Sequence, residues 1–167
     1  AKSFSGTLEA GLRHVEKLCA AGEIAMIGLY CDYENVTENI FLSCHVKENY
    51  NLPVIVGGPQ ATALDEKFFR ESKCDAVVRY EGELTVLELM NFYLEEVGEL
   101  ENIRGITYLR GELIKNPERS PIKNLDALPF IDRACYLVPD DFYRGLININ
   151  GKYFYYKYCI HKINSQE

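Results

Sequence analysis

The chain has 167 residues, 47% of them hydrophobic, which suits one domain with a sizeable core and a small appendage. Its formal net charge of -7 and its lack of a basic run argue against a phosphate-backbone footprint, so no nucleic-acid partner is expected. No basic segment followed by an apolar stretch opens the chain, and no apolar run approaches the roughly 20 residues needed to span a bilayer, so a soluble protein with no membrane span is expected.

Apolar residues recur at Leu8, Leu12, Val15 and Leu18 or Cys19, which is helical spacing, and Gly22 is a natural stop. Ile24 to Tyr30 is then a short apolar run without polar alternation, as in a strand covered on both faces. Asn35 can cap a second helix, with Glu38 three residues on, and that helix would bury Ile40, Phe41 and Cys44. Pro53 to Val56 reads as a second buried strand ending at Gly57-Gly58-Pro59, and Leu64 to Glu71 as a short helix burying Leu64 and Phe68. Asp75 to Tyr80 is a third strand, closed by Glu81-Gly82-Glu83. Leu84, Leu87, Met90 or Asn91, and Leu94 then place an apolar stripe on a helix running to about Glu96.

This alternation of strand and helix implies right-handed βαβ units, hence a mostly parallel sheet with helices on both faces. Ligands in such a sheet bind outside the carboxyl ends of the strands, so the tips of interest are Tyr30 to Asn35, Gly57 to Thr62, and Glu81 to Glu83. Gly105 to Leu109 and Glu112 to Lys115 flank Arg110-Gly111 and read as a β-hairpin added at an edge. Beyond Asn116-Pro117 periodicity fades into a connector around Leu125 to Phe130. The tail from Gly151 to Tyr158 holds five aromatics in eight residues and is compatible with either a strand or an irregular end.

Two glycines at a strand tip allow a ligand to approach the backbone closely and also permit positive φ, so Gly57-Gly58-Pro59 serves either a ligand or the turn itself. Glu81 and Glu83, either side of Gly82, can complement a helix N-terminus or accept hydrogen bonds from a ligand; no acid/base pair is assigned to them. His14 and His45 lie on helices as surface or packing residues. Cys159 and His161 have the spacing of one edge of a metal site but lack further ligands, so no metal site is assigned. The six cysteines form no C-x-x-C pair, as expected of free thiols in a reducing cytoplasm. Phosphate-loop, dinucleotide and serine-hydrolase signatures are absent.

Three segments occur in a telling order: Val54 to Leu64 (Val-Ile-Val-Gly-Gly-Pro-Gln-Ala-Thr-Ala-Leu), Asp75 to Glu83 (Asp-Ala-Val-Val-Arg-Tyr-Glu-Gly-Glu), and Leu125 to Arg133 (Leu-Asp-Ala-Leu-Pro-Phe-Ile-Asp-Arg). Together they resemble the amino-terminal half of cobalamin-dependent radical SAM proteins, a family that includes the anaerobic magnesium-protoporphyrin IX monomethyl ester oxidative cyclase. The resemblance runs from about Ile24 to Arg133. It implies a flavodoxin-like, Rossmann-like α/β fold in which the glycine pair lines the slot for the cobalamin tail. Carried over by position, Gly57, Gly58 and Pro59 are the lead contacts, with Glu81, Gly82 and Glu83 at the neighbouring tip. No residue is assigned a catalytic role.

The same resemblance divides the chain into residues 1–116, a partial cobalamin-binding domain with its edge hairpin, and 117–167, a linker towards a radical SAM barrel followed by the aromatic tail. The iron-sulfur cluster and S-adenosylmethionine belong to that barrel, and its C-x-x-x-C-x-x-C motif does not occur in this sequence. The histidine-bearing D-x-H-x-x-G loop of the wider cobalamin group is also absent. No counterpart of the family's first strand, first helix and second strand precedes Thr7, so the strand at Ile24 to Tyr30 is expected to carry an unpaired apolar edge and to drive homo-oligomer formation. The function implied is the cobalamin-binding portion of an enzyme for methyl transfer or oxidative cyclisation, with a tetrapyrrole-type substrate possible. The competing reading is a non-catalytic α/β module for oligomerisation or for binding another flat ligand.

Overall fold

A computed structural model describes residues 8–129. The end of the third resemblance segment (Phe130 to Arg133), the aromatic tail, Cys135, Cys159 and His161 lie outside the described residues. In chain order the elements are α1 (Leu8–Ala20), β1 (Ile27–Tyr30), α2 (Val36–Tyr50), β2 (Val54–Gly57), α3 (Pro59–Ala63), α4 (Asp65–Glu71), β3 (Ala76–Val78), α5 (Glu83–Glu95), β4 (Ile106–Arg110) and β5 (Glu112–Lys115).

The strands form one sheet in the order β1-β2-β3-β4-β5. β1, β2 and β3 are parallel, with Val56 between Leu29 and Val77, whereas β4 and β5 add an antiparallel hairpin beside β3 through pairs such as Val77 with Thr107 and Tyr108 with Ile114. The fold is therefore the expected flavodoxin-like α/β type, with the hairpin at its edge. Among the described residues β1 pairs only with β2, so it is an edge strand there.

Strand side chains alternate between faces, and each face has its own core. On one, Val54, Val56, Ile27, Leu29 and Val77 pack under Val15 and Leu18 of α1, Leu42 and Val46 of α2, Ala61 of α3 and Phe68 of α4. On the other, Ile55, Ala76, Val78, Ile106 and Tyr108 pack with Leu89 of α5 and Ile103. Double-sided cover explains why these strands read as unbroken apolar runs; each fully buried Val, Ile or Leu adds about 1.5–3 kcal/mol.

Two helices present faces other than those expected from their spacing. α2 buries Asn39, Leu42, Ser43 and Val46, whereas Phe41 is exposed and Ile40 and Cys44 are half-buried. The polar Asn39 turns inward because its amide donates to the Tyr30 carbonyl (2.9 Å) and to Asn35 Oδ1 (2.8 Å). α5 buries Thr85 and Leu89 and leaves Leu84 and Leu87 exposed. Apolar side chains surround α5 almost completely, so their spacing does not select a face, whereas the Thr85 hydroxyl, which donates to the Arg104 carbonyl (3.0 Å), does. The helix read from Leu64 to Glu71 is α4, beginning at Asp65, and a short helix not read from the sequence precedes it: Pro59, whose fixed φ suits a first helical position, starts α3, and Leu64 separates the two.

The hairpin is bound to the body by Asp65, a buried carboxylate that accepts from Thr107 Oγ1 (2.9 Å) and Lys115 Nζ (3.1 Å). Arg79, also buried, donates to the carbonyls of Ile106 and Asn116 and so fixes both the hairpin and the start of the connector against β3.

Candidate functional site

The carboxyl ends of β1, β2 and β3 lie along one edge of the sheet, the side on which parallel α/β sheets bind ligands. At the β1 tip, Asn35 Oδ1 accepts from the Asp32 amide (3.0 Å) and from Asn39 Nδ2, while Asp32 Oδ1 accepts from the Glu34 amide (3.0 Å). Asn35 stands at the N-cap position of α2, yet its side chain makes no capping bond because the loop consumes it. Tyr30 and Tyr33 are exposed at this tip.

The two glycines of the β2 tip have different reasons to be glycine. Gly58 has φ +107, and a Cβ there would stand 2.5 Å from the Cys31 carbonyl oxygen. Its close approach is to the protein's own backbone, and neighbouring bonds (Cys31 amide to Gly57 carbonyl, 2.7 Å; Gln60 amide to Cys31 carbonyl, 3.2 Å) lock the two tips together. Gly57 is half-exposed, and a Cβ there would meet only Val78, at 3.6 Å from its Cβ. That is ordinary van der Waals contact, so internal packing does not demand a glycine at 57.

Gly82 approaches the same valine: a Cβ on it would lie 3.3 Å from Val78 Cγ1 and 3.6 Å from Val86 Cγ2. Gly57 and Gly82 thus flank Val78, one at the end of β2 and the other at the start of α5. The two glycine-bearing tips singled out in the sequence meet there. Val78, itself buried, therefore lies against both glycines.

The remaining expected contacts fall elsewhere. Pro59 is exposed at the first position of α3. Glu83 is exposed in the first turn of α5, where its charge complements the helix N-terminus, although no side-chain capping bond is made. Glu81 accepts from the Ile122 amide (3.0 Å) and therefore anchors the connector. Further along the same stretch, Arg119 bonds Thr85 Oγ1 (2.8 Å) and pairs with Glu88, while Arg104 donates to the Glu118 carbonyl (3.1 Å). The connector so returns across the N-terminus of α5.

Sequence reasoning missed Tyr80. It has φ 61, a left-handed conformation that costs a residue with a Cβ about 1–2 kcal/mol. Its amide donates to Thr62 Oγ1 (3.1 Å) and its hydroxyl to Glu118 Oε1 (3.1 Å), yet the residue is 60% exposed. No local pattern marks such a residue; its place between a strand and Glu-Gly was the available signal.

Burial pushes the Cys31 thiol up to about 11, with the Asp32 charge adding and the Asn39 hydrogen bond opposing, so it is protonated at neutral pH and is a poor soft-metal ligand or nucleophile. Among the described residues no group of three or more His, Cys, Asp or Glu side chains could hold a metal ion. His45 lies near the far end of α2, which runs away from the tips, and approaches Glu16 (3.4 Å).

No family model matches the chain. By sequence it is similar to an uncharacterized methyltransferase of Pyrococcus horikoshii, 37% identical over 114 residues. The match covers 67% of this chain and only 22% of that relative. By structure it is similar to the cobalamin-dependent S-adenosylmethionine radical enzyme OxsB, solved with aqua-cobalamin and S-adenosylmethionine bound. The TM-score is 0.56 at 22% identity, over 69% of this chain and 16% of that one. This second likeness establishes a shared fold.

Proposed function

We propose that this chain is the cobalamin-binding portion of a radical SAM enzyme, and that methyl transfer is the reaction it serves. The observation that carries the reading is Gly57: a half-exposed glycine at a parallel-sheet carboxyl end, with no packing reason of its own, beside the same Val78 that Gly82 approaches. Support also comes from the fold shared with a cobalamin-dependent enzyme and from the sequence likeness to a methyltransferase. Oxidative cyclisation is the other activity that the sequence resemblance suggests.

In this reading Gly57 and Gly82 admit the ligand's nucleotide tail over Val78, and the Gly58–Cys31 lock keeps the two tips rigid so that the slot is formed before binding. Bound cobalamin would supply a methyl carrier. The described residues around the slot offer no acid/base pair, and Cys31 is held neutral, so their work is binding and orientation. A radical SAM barrel beyond the connector would bring the iron-sulfur cluster, S-adenosylmethionine and the substrate. The four described cysteines are unbridged, in keeping with a cytoplasmic location, and no described helix is long and apolar enough to cross a membrane.

The test is gel filtration of the chain after incubation with hydroxocobalamin. Corrin absorbance should travel with the protein peak; protein eluting free of it would contradict the proposal. A second reading rests on β1, which pairs on one side only among the described residues and would join a second copy of the chain edge to edge. It predicts a dimer or larger species in sedimentation, and a monomer would dismiss it.

A further inference from the structure

We infer that Tyr80 is a ligand-contacting residue of the proposed cofactor site, and that its ring meets the flat macrocycle, whereas the glycine-lined slot takes the tail. The inference rests on the cobalamin reading above and goes beyond it by assigning a contact that neither glycine motif supplies.

The argument begins with strain. A tyrosine at φ 61 is held in a conformation that glycine would adopt freely, so its presence needs a reason in the side chain. Core packing is not that reason, because Tyr80 is 60% exposed. Nor is the bond to Glu118 sufficient, since Glu118 is itself exposed and a hydrogen bond between two solvated side chains adds little. What the two tethers do achieve is orientation. Thr62 Oγ1 fixes the Tyr80 amide and Glu118 Oε1 fixes its hydroxyl, so the ring is restrained at both ends while much of its surface faces water.

Position then decides what such a ring would touch. Val78 lies against Gly57 and Gly82, and Tyr80 lies two residues beyond it, past the carboxyl end of β3 and so on the side where the proposed slot opens. A tail that enters between the glycines leaves its parent ring system outside, over the carboxyl edge of the sheet. An aromatic side chain restrained at that rim offers an apolar face to a flat ring at little further cost in conformational entropy.

Hydroxocobalamin and dicyanocobinamide, a corrin without the nucleotide tail, separate the two contacts when titrated spectrophotometrically into the full chain and its Tyr80→Gly and Tyr80→Phe variants. Tyr80→Gly should weaken both ligands about tenfold, the size of one aromatic contact, while Tyr80→Phe stays within about twofold of wild type. Thermal unfolding of Tyr80→Gly should occur at or above the wild-type temperature, because the strain is relieved, which separates lost binding from lost folding. A wild-type chain that binds no cobalamin defeats the cobalamin reading and this inference together. Wild-type binding with unchanged affinity in Tyr80→Gly overturns the inference alone. So does an equal loss in Tyr80→Phe, which would assign the effect to the hydroxyl, or a loss seen with cobalamin and not with cobinamide, which would assign it to the tail.

Discussion

Gly58 stands so close to the backbone of Cys31 that a Cβ at position 58 would lie 2.5 Å from the Cys31 carbonyl oxygen and 3.0 Å from its nitrogen. The neighbouring atoms are main chain and cannot rotate aside, and the φ of +107 disfavours any side chain independently. Gly58→Ala should therefore destabilise the fold by about 3 kcal/mol, measured by urea unfolding. A loss below about 1 kcal/mol would mean that the two tips are not locked together as described.

Asp65 gives a second prediction. Its buried carboxylate joins α4 to the hairpin through Thr107 and Lys115, so Asp65→Ala leaves the buried Thr107 hydroxyl without its acceptor and Lys115 with only the longer pair to Glu66 (3.6 Å). The expected cost is about 2 kcal/mol, with faster amide exchange in Ile106–Arg110 and Glu112–Lys115 than in β1 and β2. Uniform loss of protection across the sheet would contradict this local role.

The buried thiols predict a pH dependence. Burial raises Cys31 to about 11 and Cys74 to about 12, against an ordinary value of 9.0. Because folding favours the protonated form, these groups contribute their stability in full below pH 9.0, and it is lost as pH rises towards 11 and 12. Unfolding under reducing conditions should show falling stability across that range. Iodoacetamide labelling with peptide mapping at neutral pH should leave Cys31 and Cys74 unmodified in the native chain and modified in urea. Rapid native labelling of either would refute their burial.

These results show which physical signals a sequence carries. The strands from Val54 to Gly57 and Ala76 to Val78 were legible because both faces are covered and unbroken apolar runs follow directly. The β2 tip was legible for the same reason, since Gly57 and Gly58 interrupt such a run. Which face of α2 or α5 points inward was not legible: the inward hydrogen bonds of one polar residue, Asn39 or Thr85, outweigh the placement of Phe41, Leu84 and Leu87. Nor could spacing reveal that the two glycines differ, because the partner of Gly58 is Cys31, 27 residues earlier, and that of Gly57 is Val78, 21 residues later. The use of Glu81 on the connector at Ile122 is likewise a long-range event without a local pattern.

The central claim is a cofactor slot opening at Gly57, and one substitution addresses it most directly. A Cβ at 57 makes only ordinary contact with Val78, so Gly57→Leu can keep the fold while its longer side chain would occupy the proposed slot. Hydroxocobalamin should bind the wild-type chain in a spectrophotometric titration and fail to bind Gly57→Leu, with the two proteins unfolding within about 1 kcal/mol of each other. Equal binding by both, or binding by neither, would contradict the account.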